Sequence, residues 1–127
     1  MRFMTIVRST EECGLPPQEL MDAIAKLGEE GFKNGSLLEV GGLLPTANGA
    51  KVRIAGGKLS VTDGPFAEAK EVIGGYAVHE VASKEEAIAR TREFMELHRK
   101  YWPGWEGETE VRQIMEQPNF AAPGVNA

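Results

Sequence analysis

The sequence has little cysteine, no long apolar segment and no excess of basic residues. Cys13 is the only cysteine, so an internal disulfide and a CxxC zinc or redox site are both excluded. No apolar run approaches the ~18 residues that a membrane-spanning helix needs, and the apolar stretch at the N-terminus is too short for a signal peptide. The 19 acidic and 14 basic residues give a net charge of −5, which excludes a general electrostatic grip on nucleic acid. We therefore expect a cytoplasmic protein with no membrane partner and no direct nucleic-acid partner.

What remains is the composition of one globular domain. The chain has 127 residues, of which 42% are hydrophobic and 26% are charged. A chain of this length buries enough surface to fold without a disulfide or a structural metal. We expect a single domain over residues 1–117, followed at residues 118–127 by a flexible tail rich in Pro, Gly, Ala and Asn.

Apolar periodicity and turn residues predict six strands and two helices. The predicted strands are 2–8, 37–44, 51–54, 59–62, 72–81 and 110–115, and the helices are 16–34 and the segment between Ser83 and Pro103. The second helix opens with a capping box, Ser83 followed three residues later by Glu86. The order β-α-β, hairpin, β-α-β predicts an α+β, ferredoxin-like fold. It consists of two βαβ units with an inserted β-hairpin, and both helices lie on one face of an antiparallel sheet.

The predicted hairpin carries its own test of register. If the Gly56-Gly57 turn sets the pairing, Ile54 faces Leu59 and Val52 faces Val61. The remaining pairs on the other face are then polar. Because apolar residues pair with apolar and polar with polar, the register is consistent with itself.

The first strand is apolar on both faces, which bears on the oligomeric state. Phe3 and Val7 lie on one face, and Met4 and Ile6 lie on the other. Such a strand is normally covered on both sides. Two helices on one face leave the other uncovered, so we expect a homodimer that packs through this sheet face.

The central segment carries a family resemblance. Residues 61–76, Val-Thr-Asp-Gly-Pro-Phe-Ala-Glu-Ala-Lys-Glu-Val-Ile-Gly-Gly-Tyr, resemble the signature of the DGPF group within the YCII-related family. Segments 41–45, 51–58 and 102–112 are also similar to that group, and the resemblance runs from about residue 2 to residue 116. It implies a dimeric α/β-barrel fold. It implies less about chemistry: some members look enzyme-like, and DGPF proteins are often linked with alternative sigma factors or labelled as transcription-related.

Asp63 is the candidate catalytic residue. It shares the parity of Leu59 and Val61, so a continued strand directs its carboxylate to the apolar face. Desolvation there would raise the pKa of the carboxyl and suit it to proton transfer. Gly64 and Pro65 would bend and fix the chain next to it. The alternative is that Asp63 accepts a backbone hydrogen bond in its own turn and only anchors it.

Five residues after Asp63 are the candidate ligand-binding set: Gly64, Pro65, Phe66, Glu68 and Lys70. Glu68, Lys70 and Glu71 would bring an acid, a cation and a second carboxylate to the same cleft, or else form a solvated charged turn, which is the favoured interpretation for Glu71. Phe66 is interpreted as an apolar plug beneath the turn rather than a ring that stacks on a substrate. Arg53 and Lys58 would suit an anionic ligand, although surface solvation explains them nearly as well.

No metal and no cofactor are expected. His79 lies on a predicted strand and His98 on a predicted helix, with no Glu-His pairing at metal-binding spacing. We interpret each as a partly buried histidine whose hydrogen bonds are satisfied. Cys13 lacks a basic neighbour that would lower its pKa, which disfavours a nucleophilic role.

One departure from the family concerns the first helix. YciI-like members pair a histidine on that helix with an aspartate for proton transfer, but residues 16–34 contain no histidine and Ile24 falls near that position. An acid–base mechanism would therefore depend on Asp63 together with Glu68 or Lys70.

Two functions remain open. A small-molecule-binding protein or cryptic enzyme requires a closed pocket beside Asp63. A regulatory protein that contacts another protein requires an exposed apolar patch.

Overall fold

The computed structural model describes residues 1–10, 13–66 and 71–116 of the chain. In chain order its elements are β1 (Arg2–Ser9), α1 (Gln18–Asn34), β2 (Leu37–Gly42), a 3-10 turn (Thr46–Asn48), β3 (Ala50–Ala55), β4 (Lys58–Asp63), β5 (Val72–Glu80), α2 (Lys84–Tyr101) and β6 (Glu108–Gln113). Each predicted strand and helix is present. The predicted tail at 118–127 lies outside the described residues.

Four strands form one antiparallel sheet in the order β2-β5-β1-β6. Helix α1 connects β1 to β2, and α2 connects β5 to β6, so the sheet consists of two βαβ units whose strands alternate. The two helices contact each other and pack on the sheet. The prediction of an α+β fold with two helices on an antiparallel sheet is confirmed, and the strand order is that of a ferredoxin-like fold.

The helix ends follow from local sequence. Gly35 ends α1 with φ of 81°, a conformation that glycine adopts without a Cβ penalty. At the start of α2, the Ser83 hydroxyl accepts a hydrogen bond from the Glu86 amide (3.1 Å), and the Glu86 carboxylate accepts one from the Ala82 amide (2.9 Å). The capping box thus forms, with its return bond one residue earlier than the standard motif. Among the described residues, no helix is both long and apolar enough to span a bilayer.

The core lies between the sheet and the helices. Phe3 of β1 and Ala87 of α2 are 2% and 0% exposed and pack with Val81, and Leu20 of α1 is fully buried. Met4, on the opposite face of β1, is only half-buried. The helices therefore bury one face of the sheet and leave the other, called here the open face, without a covering element among the described residues.

The last strand is displaced from its predicted position. The pattern predicts a strand at 110–115, whereas β6 spans Glu108–Gln113. Its limits follow from β1, since Glu108 pairs with Arg8 and Gln113 pairs with Phe3. The partner strand, which no local pattern reveals, determines where this strand begins and ends.

Strands β3 and β4 form a separate two-stranded hairpin, residues 50–63, which we call the arm. Its register agrees with the prediction: Ile54 pairs with Leu59, and Val52 pairs with Val61. The two glycines of its turn have φ of 58° and 76°, as the tight turn requires. The arm's strands are paired with each other and not with the four-stranded sheet.

Candidate functional site

Asp63 is the last residue of β4 and pairs with Ala50 of β3. It lies on the same face of the arm as Leu59 and Val61, as its parity predicts. Its side chain is exposed to solvent, and so are both apolar neighbours, so the expected desolvation of this carboxylate is absent in the single chain. Asp63 is therefore presented at the base of an uncovered apolar surface.

The backbone after Asp63 is tied to the 3-10 turn. The Gly64 amide donates to the Gly49 carbonyl at 2.9 Å, and the Phe66 amide donates to the Thr46 hydroxyl at 3.3 Å. A Cβ at Gly64 would overlap the Thr46 carbonyl oxygen, so only glycine permits this approach. The Gly64–Pro65 peptide bond is cis. The chain thus holds Asp63 next to a turn whose position is determined by contacts on both sides.

Phe66 brings a cation to the turn. Its ring is half-buried, and the Lys51 ammonium lies 4.5 Å from the ring centroid, within the range of a cation–π interaction. Lys51 belongs to β3, on the arm face opposite Asp63. Sequence reasoning did not select Lys51 as a site residue. The predicted hairpin register could have identified it, because that register pairs Lys51 with Thr62, the residue before Asp63 at the end of β4.

The remaining predicted charges are not brought together by the described structure. Glu68 and Lys70 lie outside the described residues. Glu71 is exposed at the start of the next described segment. Arg53 and Lys58 are exposed on the polar face of the arm, away from the apolar side that bears Asp63.

Apart from the Asp63 turn, a pair of polar side chains lies on the open face of the sheet. The Tyr76 hydroxyl donates to the Glu39 carboxylate at 2.6 Å across the β2–β5 pair. This hydrogen bond, together with the negative charge of Glu39, raises the pKa of Tyr76 above its ordinary value. A Cβ at Gly41 would lie 2.7 Å from the Tyr76 ring, so glycine there gives the ring its place across β2. The pair is a neutral donor held against a carboxylate.

An arginine–glutamate network lies across the same face at the other side of the sheet. Glu110 accepts from Arg112 at 2.8 Å and from Arg8 at 3.2 Å. These two hydrogen bonds hold the pKa of the Glu110 carboxyl below its usual range. Ile6 pairs with both Tyr76 and Glu110, so one row of the sheet places an apolar side chain between the two polar groups.

Sequence reasoning missed these open-face residues. The signal was available, because Arg8 shares the parity of Met4 and Ile6 along β1. What was lacking was the strand order, which alone brings β6 and β5 to either side of β1.

Both histidines have protein partners, as interpreted. Nδ1 of His98 donates to the Phe94 carbonyl at 3.0 Å, and its ring lies 4.6 Å from the Trp105 ring. His79 Nε2 lies 3.2 Å from the Thr5 hydroxyl. Burial lowers the pKa of each imidazole. Across residues 1–10, 13–66 and 71–116, no three His, Cys, Asp or Glu side chains are grouped as a metal site would require.

Two surface cavities lie elsewhere. One is a groove between α1 and α2 lined by Leu27 and Leu97, and the other lies beside Cys13, Trp102 and Trp105. Neither is lined by a residue of the Asp63 turn.

Comparison with known proteins gives the family. An uncharacterised protein of Rhizobium meliloti (strain 1021) is 33% identical over 76 residues, which cover 60% of this chain and 61% of that protein. The aligned part is therefore about three fifths of the relative's length. The profile of the YCII-related domain matches residues 1–97, a span that contains the open-face residues of β1, β2 and β5, the arm and the Asp63 turn. The chain belongs to the YCII-related domain family.

Proposed function

We propose that the chain is a homodimeric small-molecule-binding protein or cryptic enzyme whose acidic pocket lies at the Asp63–Phe66 turn. The observation that carries this proposal is the fixed geometry of that turn. Hydrogen bonds to Gly49 and Thr46 and the close approach at Gly64 hold the backbone on two sides. A turn that served only to reverse the chain would not require such positioning, whereas a carboxylate that acts on a ligand does.

The chemistry of the site follows from its polar groups. Asp63 offers a carboxylate that accepts hydrogen bonds or a proton from a bound molecule. Phe66 supports the turn as an apolar plug, and its ring contacts the Lys51 ammonium, which lies on the arm face opposite Asp63. Glu68 and Lys70 complete the proposed set. The class of ligand that suits these groups is a small polar molecule with a hydrogen-bond donor for Asp63.

A homodimer through the open face is the second part of the proposal. Met4, Ile6 and Val78 form an apolar centre on this face, and all three remain only half-buried in the single chain. A sheet with one apolar face uncovered is normally covered by a further layer. A second copy of the chain supplies that layer without another protein.

Replacement of Asp63 by Asn tests the ligand site with little change of shape. Native mass spectrometry of the wild type, purified without denaturation, should detect a co-purifying small molecule that Asp63→Asn has lost. The free energy of unfolding should change by less than ~1 kcal/mol, because the side chain is exposed.

The matched control is Glu71→Gln, which neutralises an exposed carboxylate just beyond the turn. It should keep the bound molecule. If Asp63→Asn instead loses several kcal/mol of stability while bound molecule per folded chain is unchanged, Asp63 is a turn anchor and the site is wrongly assigned.

A regulatory protein that works through protein contacts is the second candidate, and the exposed apolar face of the arm favours it. Sedimentation analysis separates the two. A wild type that stays monomeric at micromolar concentration leaves the arm free for a different protein and favours regulation, whereas a dimer favours the first proposal.

A further inference from the structure

The arm is amphipathic, with one apolar face and one polar face, and its apolar face is exposed to solvent. One face carries four apolar side chains that are 71%, 73%, 72% and 68% exposed: Val52, Ile54, Leu59 and Val61. The other face carries polar side chains at Lys51, Arg53, Ser60 and Thr62. An isolated two-stranded hairpin is at best marginally stable in water, so the apolar face of this one requires a cover.

The described residues of the arm's own domain do not provide that cover. Its base is fixed where the Gly64 amide meets the Gly49 carbonyl and where Gly64 fits against the Thr46 carbonyl. These contacts set the direction in which the arm leaves the domain. In that direction its four apolar side chains remain exposed among the described residues.

The open face of the sheet offers a surface of matching size. Met4 pairs with Val78 and Ile6 pairs with Tyr76, which makes two adjacent rungs on two antiparallel strands. The apolar face of the arm has the same dimensions, since its four side chains also form two rungs on two strands. Two such faces pack at ~10 Å when sheets stack, with side chains interdigitating.

The charges of the two parts are complementary. The arm carries three basic residues and one acidic residue, a net charge of +2. The other 113 residues carry 11 basic and 18 acidic side chains, a net charge of −7. Two such domains repel when they approach directly, whereas the positive arm is attracted to the negative opposite domain as the two approach. The basic side chains lie on the polar face of the arm, so they stay outside the docked apolar surface and act on the approach rather than in the contact. A second copy of this chain therefore supplies an apolar surface that the arm fits and a net charge that attracts it.

We propose that the arm of each protomer docks its apolar face on the open face of a second copy, reciprocally about a two-fold axis. This inference rests on the proposed homodimer and names the element that covers the sheet. It also bears on the ligand site, since Asp63 lies at the base of the same arm face. Docking would place the second copy over the exposed Asp63 carboxylate. The turn, which is open in the single chain, would then become one wall of a closed pocket.

The test is the dimer dissociation constant of the full chain, measured by sedimentation over a range of concentrations. Leu59→Asp places a charge on the apolar face of the arm and should raise the dissociation constant at least ~30-fold. Ser60→Asp adds the same charge at the next residue, on the polar face, and should change it less than ~5-fold. Both residues are exposed, so circular dichroism should show both variants folded like the wild type.

Contact with the open face is tested by Ile6→Ala combined with Leu59→Ala. If the two side chains contact each other across the interface, the double variant should weaken the dimer by less than the product of the two single effects. Docking on this face requires each single variant to weaken the dimer, so an unchanged dissociation constant for Ile6→Ala would overturn it.

The outcomes separate this inference from the proposed function. A wild-type dimer that Ile6→Asp weakens but Leu59→Asp does not would overturn the arm contact and leave the sheet-face homodimer standing. A wild type that is monomeric at micromolar concentration overturns both. Equal weakening by Leu59→Asp and Ser60→Asp would also overturn the arm contact, because added charge alone would then explain the loss.

Discussion

The four-stranded domain and the arm have similar sequence patterns but opposite surroundings. In the domain, apolar residues at alternating and helical spacing that lie between the sheet and the helices are buried, as at Phe3 and Ala87. In the arm, residues of the same alternating kind, such as Ile54 and Leu59, are more than 70% exposed. The pattern determines which residues share a face, and a packing partner determines whether that face is buried. The exposed apolar face of the arm therefore indicates a surface that packs against a further partner.

The largest expected effect is the difference in unfolding free energy between truncating a leucine of the domain and truncating a leucine of the arm. Leu20→Ala removes a fully buried side chain and should cost ~2–5 kcal/mol of unfolding free energy through lost burial and a cavity. Leu59→Ala, at a side chain 72% exposed, should cost less than ~0.5 kcal/mol in dilute solution. Urea denaturation at two protein concentrations measures both. A cost at Leu59 that grows with concentration would mean that association covers it, whereas the cost at Leu20 should not change.

A smaller effect is expected where the arm joins the domain. Gly64→Ala forces a Cβ into the Thr46 carbonyl and should cost ~1–3 kcal/mol, because the backbone contact must open. Thermal unfolding monitored by circular dichroism measures the loss. The control is Gly49→Ala, where the nearest atom is 3.6 Å from the new Cβ and φ is −125°, so little change is expected. Similar losses in both variants would contradict the tight approach at Gly64.

Within the domain, loss of the N-terminal cap of α2 should reduce stability by less than the Gly64→Ala substitution does. Ser83→Ala removes the acceptor for the Glu86 amide and should cost ~1 kcal/mol. Lys84→Ala, at the first helical residue, removes no capping bond and serves as the control. Chemical denaturation compares the two, and an equal loss would assign the effect to helix propensity rather than to the cap.

The smallest effect should come from acidification, and it should arise in the domain. Burial lowers the pKa of both His79 and His98, so the unfolded chain binds more protons once the pH falls below about 6.5. Stability is therefore fully present above pH 6.5 and declines as the pH falls toward the folded-state pKa. Melting temperatures between pH 7.5 and 5.5 measure this decline, which His98→Gln should reduce.

A separate window lies lower. The pKa values of Glu80 and Glu110 are held below their usual range by hydrogen bonds, so their contribution is lost only below about pH 4.5. A decline that began only in this acidic window would contradict the assignment to the histidines.

Much of the fold could be predicted because its signals are local. Ser83 and Glu86 marked the start of α2, and the glycine turn set the register of the arm. The limits of β6 could not be predicted, because β1 determines them through pairing. For the candidate site, the face that Asp63 occupies followed from parity, but its exposure depends on what covers the arm.

The sequence by itself determined which elements form, the arm register and the family segment around Asp63. It also showed that the sheet has a second apolar face, which the two helices do not cover. Those features depend on residues close together in the chain, through turn geometry, capping and alternation. Only the tertiary structure decided that Tyr76 meets Glu39, that Arg8 and Arg112 share Glu110, and that Gly64 fits against Thr46. The strand order brings these groups together from distant parts of the chain, and side-chain chemistry alone does not reveal which strands become neighbours.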